Sequence, residues 1–133
     1  MTKVYREVEA SVGDGKFKTN VAVGPHRLVA DELTEDGGAD AGPAPHELLL
    51  AALVACTSMT IRLYAERKAL PLRAVNVKAR GTRDDATGLT VELDVTLDGD
   101  LDAAQRERVL QIAGKCPVHR TLTRSATIST RLV

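Results

Sequence analysis

Two cysteines, Cys56 and Cys116, stand 60 positions apart in a chain of 133 residues. A thiolate is a nucleophile and a metal ligand, and it is the first rung of the sulfenic acid and disulfide ladder. Cys116 precedes Pro117 and so sits at or beside the N-cap of a short helix, where unpaired backbone N–H groups favour an anion. From Arg108 to Val133 there is no acidic residue, while Arg108, Lys115, Arg120, Arg124 and Arg131 are basic. His119 follows Cys116 by about one turn, within reach of the sulfur. The alternative for Cys116 is a small buried residue at a helix start. Cys56 lies mid-helix on a stripe with Leu49, Ala52, Leu53 and Leu63, the expected core side. A thiol there is inert unless another part of the fold supplies an Arg or His. Cys56, Cys116, His119 and His26 together have ligand types that suit zinc, but no close-spaced pair such as CxxC.

The elements that position these residues can be read from pattern. Residues 3–12 alternate, with Val4, Val8, Ala10 and Val12 on one face, and predict a half-buried strand. Gly13-Asp14-Gly15 predicts a turn, Phe17–Val23 a returning strand, and His26–Asp31 a third. Residues 31–44 carry Asp31, Glu32, Glu35, Asp36 and Asp40 among Gly and Pro, and predict a solvated loop. Residues 45–68 predict a long helix with Pro45 in its first turn, Glu47 at the positive dipole end and Arg67 and Lys68 at the other. LLLAALVAC is apolar on nearly every face, so this helix needs cover all round. A chain this short has difficulty supplying that, which points to a dimer. Strands at 74–83 and 90–97 alternate cleanly and form an antiparallel pair. Asp102 and Gln105 have capping-box spacing for a helix over 103–113, with Gly114 as C-cap. A short helix from Pro117 and a strand over 125–132 complete an α+β chain, expected to be one domain over 1–133.

Composition narrows the function classes. Lys+Arg and Asp+Glu both number 18, and aromatic residues are 2%. A neutral chain without stacking residues does not fit a nucleic-acid binder. No uninterrupted run approaches about 18 apolar residues, so no membrane partner is expected. MTKVYREVEA has no apolar signal region, which predicts a cytoplasmic location where thiols stay reduced.

The run GPAPHELLLAALVACTSMTIRLYAERKAL, followed later by GKCPVHRTLT, resembles the OsmC/Ohr family of thiol-dependent, peroxide-handling proteins. GPHRLVADE looks closest to a less-characterised branch of OsmC-like proteins. The resemblance implies antiparallel sheets packed on two long central helices in an intertwined homodimer, with active sites at the subunit interface. It implies that Cys56 attacks an organic hydroperoxide and that Cys116 resolves the sulfenic acid as a disulfide. A dithiol reductant, often lipoyl-linked in this family, would reopen the disulfide, with no metal, flavin or other cofactor. Better-known members carry Glu directly after the helix-leading Pro, paired with an activating Arg. Here His46 holds that position and Glu47 follows it, a rotation of about 100°. Arg27, and after it Arg6, are the candidates for the Arg; His26 is a candidate polar group of the site. The alternative reading keeps the fold as a small-molecule binding or stress-response module with redox-silent cysteines.

Overall fold

The computed structural model describes residues 2–133. The chain forms two compact units, one ending at Leu49 and one comprising Leu50–Val133.

The N-terminal unit is a three-stranded antiparallel meander of β1 (Val8–Val12), β2 (Thr19–Val23) and β3 (His26–Ala30). Ala10 pairs with Val21, and Val21 with Leu28. β2 and β3 meet across Gly24-Pro25, where Gly24 takes the left-handed conformation the turn requires. β1 is shorter than the expected 3–12 and is exposed throughout, Val8 and Val12 included.

The acidic segment after β3 is more ordered than the solvated loop predicted. Asp31 is buried, and its carboxylate accepts hydrogen bonds from the N–H groups of Glu32 (2.7 Å), Ala39 (3.3 Å) and Ala41 (3.1 Å). A 3-10 turn, Thr34–Asp36, lies inside the loop so closed. Those N–H groups hold the Asp31 carboxyl below its ordinary pKa, the bond from Glu32 most of all.

Helix α1 (Pro45–Arg67) begins in this unit and continues into the next. The C-terminal unit adds β4 (Leu72–Asp84), β5 (Gly88–Gly99), α2 (Ala103–Ala113) and α3 (Pro117–Leu122). β4 and β5 form a long antiparallel hairpin in which Val77 faces Val95 and Ala79 faces Leu93. Their outer faces carry exposed ion pairs, Arg73–Asp98 and Arg80 with Glu92 and Asp94. The inner face packs with Ile61 and Ala65 of α1 and Val109 and Ala113 of α2 around Leu72 and Leu101.

Local chemistry fixes the ends. Ala69 adopts φ 50° after α1, and the Leu70 N–H reaches back to the Ala65 carbonyl at 2.9 Å. Arg62 donates to the carbonyls of Leu72 (2.9 Å) and Arg73 (3.0 Å), tying α1 to β4. The capping box of α2 forms as predicted: Gln105 N–H donates to Asp102 at 2.8 Å, and Asp102 N–H to Gln105 at 3.0 Å.

Three expectations are corrected. The buried face of α1 is Leu53, Thr57, Ile61 and Ala65, an i+4 row, while Leu49, Ala52 and Leu63 are exposed. Residues 125–133 form no strand and are exposed: a strand needs a ladder partner, and among the described residues none pairs with them. By length and composition α1 could cross a bilayer, contrary to the expectation from run length, because its few polar residues are uncharged or near its ends. Its buried row nevertheless packs into a protein core.

Candidate functional site

The C-terminal unit alone brings the two cysteines together. α1 carries Cys56 at the edge of its buried row, half-buried, one residue before Thr57. α2 ends at Ala113, and the Gly114-Lys115 turn then delivers Cys116 as the N-cap of α3, with Pro117 at the first helical position. Cys116 is completely buried. Both thiols are free, and they lie close enough for each to shift the other.

Their surroundings polarise the pair. Burial pushes the Cys56 thiol up, and the Cys116 side chain pushes it further; the Val118 N–H and Thr60 hydroxyl act the other way. For Cys116 burial is the largest single influence and also pushes upward. It is outweighed by the polar groups around the sulfur, the Cys56 thiol first, then the His119 N–H, the Thr57 side chain and the Val118 N–H, so Cys116 falls below an ordinary thiol. The two thiols are thus shifted in opposite directions, Cys116 down and Cys56 up. His119 acts on the sulfur through its backbone N–H, while the residue also lines a neighbouring pocket.

That pocket has a volume of about 200 Å³ and is lined by Leu53, Leu89, Val91, Leu93, His119, Leu122 and Thr123. Leu53 stands one helical turn before Cys56. An apolar cavity of 150 Å³ holds a benzene molecule, so this one has room for an aryl or branched alkyl group.

The other sequence-predicted residues belong to the N-terminal unit. His26 and Arg27 are exposed on β3, where Arg27 donates to the carbonyls of Gly24 (2.8 Å) and His26 (3.0 Å). His46 and Glu47 are exposed in the first turn of α1, and the Glu47 carboxylate accepts the Ala44 N–H at 2.9 Å. Glu47 thus acts as a helix cap. Among the described residues, no three His, Cys, Asp or Glu side chains form a group able to hold a metal. Thr57 and Thr60, which donate toward the sulfurs, were not singled out from sequence; their i+1 and i+4 spacing from Cys56 was the available signal.

The family model of OsmC-like proteins matches residues 37–131. An OsmC-like protein from Mycoplasma pneumoniae superposes with a TM-score of 0.79 at 21% identity, covering 92% of this chain and 89% of that one. An organic hydroperoxide resistance protein, OsmC, from Legionella pneumophila gives 0.73 at 20% identity, covering 92% of both chains. The organic hydroperoxide resistance protein OhrB of Bacillus subtilis gives 0.63 at 15% identity, covering 90% of this chain and 91% of that one. No curated protein matches the chain in sequence. With a model match over most of its length, and with the same α+β fold of antiparallel sheets and helices, the chain belongs to the OsmC-like protein family.

Proposed function

We propose that this protein is a cysteine-based peroxidase that reduces organic hydroperoxides through Cys56 and Cys116, both units serving one domain. The observation that carries the reading is the unequally covered cysteine pair, close enough for each thiol to shift the other, on the two helices whose Leu53 and His119 line an apolar pocket. Cys56 is the sulfur a substrate can meet. As it attacks the distal oxygen, its proton passes to the Cys116 thiolate; the O–O bond breaks, and the alkoxide takes that proton and leaves as the alcohol. Cys116, again a thiolate, attacks the Cys56 sulfenic acid and expels hydroxide, which takes a proton from solvent to give water. A dithiol reductant, of the kind often lipoyl-linked in this family, restores both thiols by exchange. A reducing cytoplasm would keep the pair in its working state, and the chemistry runs on sulfur alone.

Intact mass spectrometry of the reduced protein with one equivalent of cumene hydroperoxide tests this. The wild type should lose two hydrogens rapidly. Cys116→Ser should instead gain one oxygen on Cys56, and Cys56→Ser should do neither. No mass change over minutes would sink the peroxidase reading and favour the binding module, since the pocket would remain.

The uncovered side of α1 supports a homodimer. Met59 is 70% and Leu63 47% exposed on a helix with few charges, a surface a soluble protein normally covers. Light scattering should give twice the chain mass. A monomer that floats with lipid vesicles would point to a bilayer in place of the second subunit.

A further inference from the structure

The apolar pocket of the C-terminal unit contains one polar side chain that the reaction as described does not use. Five of the seven residues around its volume of about 200 Å³ are Leu or Val; the other two are His119 and Thr123. Thr123 has no donor to spare, because its hydroxyl reaches the His119 carbonyl at 2.9 Å and the Arg120 carbonyl at 3.2 Å. The His119 carbonyl is itself taken, by that hydroxyl and by the Thr123 N–H at 3.1 Å. What His119 has left to offer an occupant is its imidazole. Among the described residues, the ring makes no hydrogen bond or ion pair. The residue is half-buried. A polar group drawn partly out of water without a partner costs free energy. A neutral imidazole has one nitrogen that donates and one that accepts. In a wall that is otherwise aliphatic, His119 is the side chain with a donor to give, and such a group fixes what an apolar pocket selects. No acidic side chain lines the pocket, so a cationic ligand would find no partner there.

We propose that His119 is the specificity-determining residue of this pocket: its imidazole hydrogen-bonds the terminal hydroxyl of a compact apolar ligand, an alcohol or the O–O–H group of a hydroperoxide, whose hydrocarbon part lies among Leu53, Leu89, Val91 and Leu93. The chain keeps this contact close to the sulfurs. His119 stands three residues after Cys116, where the Arg120 N–H closes the first turn of α3 on the Cys116 carbonyl at 3.1 Å. Leu53 stands three residues before Cys56 on α1. Recognition of an alcohol stands without any peroxide chemistry; its extension to a hydroperoxide rests on the peroxidase reading.

The test measures binding to the reduced protein with two probes that do not oxidise it. Cumyl alcohol carries the hydroxyl, and tert-butylbenzene has the same shape with a methyl group in its place. Methyl NMR of the Leu and Val side chains follows both titrations and shows which wall each probe meets. The readout is the ratio of the two affinities, so a change of pocket volume acts on both probes alike. His119→Leu should weaken cumyl alcohol relative to tert-butylbenzene about tenfold. His119→Gln, which keeps a donor and an acceptor, should retain most of the wild-type ratio. A ratio unchanged by His119→Leu overturns the proposal. So does a His119→Gln ratio equal to that of His119→Leu, which would assign the effect to shape. Pocket methyls that shift with neither probe overturn it as well. Consumption of cumene hydroperoxide, measured separately, decides the peroxidase reading on its own: a protein that holds the alcohol through His119 and consumes no peroxide would keep this inference and lose that one.

Discussion

Cys56 and Cys116, 60 positions apart in sequence, lie close enough for each thiol to shift the other, yet Cys56 is only half-buried while Cys116 is completely buried. Contact and access are thus divided between two sulfurs. The covered thiol is shifted down and the reachable one up.

Stability of the reduced protein should depend on pH in two opposite limbs. Cys116 lies below the ordinary thiol value, so its contribution is present above that value and is lost as pH falls through its own depressed pKa. Cys56 lies above the ordinary value, so its contribution is full below that value and declines as pH rises toward its raised pKa. Urea midpoints against pH should therefore pass through a maximum between the two. Converting the pair to a disulfide should flatten that curve across the thiol range; an identical curve would show that the pair does not titrate as described.

Filling the pocket should separate substrates by shape. Val91→Phe places a ring among Leu53, Leu89 and Leu93. We expect kcat/KM for cumene hydroperoxide to fall about tenfold, while that for hydrogen peroxide is unchanged. An equal loss for both would mean that the pocket does not take the organic group.

Asp31→Asn should loosen the loop between β3 and α1. The carboxylate accepts three N–H bonds, and its pKa is depressed chiefly by that from Glu32. Its contribution is present at neutral pH and is lost as pH falls through the depressed value, below the usual carboxylate range. The variant should therefore unfold at lower urea at pH 7 and converge with wild type in acid. Hydrogen exchange at the Ala39 and Ala41 amides should accelerate, and unchanged exchange would argue against this closure.

Ala69→Gly should raise stability. Ala69 ends α1 at φ 50°, a conformation unfavourable for a residue with a Cβ. Glycine relieves that and gives back part of the gain as backbone entropy, leaving about 0.5–1 kcal/mol. Urea unfolding would register it as a higher midpoint with an unchanged slope.

Strong local pattern carried most of the fold. The alternation of Val91, Leu93, Val95 and Leu97 defined β5, and the Asp102–Gln105 spacing defined the start of α2, because both signals are satisfied within a few residues. Residues 125–132 alternate less cleanly and found no ladder. The buried face of α1 could not be chosen from sequence, since the helix has no continuous polar side to mark the opposite one. Cys56 was placed on the wrong row for that reason, and Thr57 passed as an ordinary helix residue. The N-cap position of Cys116 was legible from Pro117. The direction of each thiol was legible as well, down at the helix N-cap for Cys116 and up by mid-helix burial for Cys56. Asp31 could not be picked from five acids in one loop, since only the folded chain shows which carboxylate the amides surround.

The position of the two sulfurs in the chain has a mechanical consequence. A covalent bond between them would close a ring holding the second half of α1, the β4–β5 hairpin and all of α2, and with them Ile61, Leu72, Leu101 and Val109 of the core. Closing a ring of that length removes unfolded-chain entropy worth about 4 kcal/mol. Each cycle of oxidation and reduction would thus fasten and release the same body that aligns the sulfurs. A protease would see a resistant molecule after oxidant exposure and a softer one once the reductant has acted.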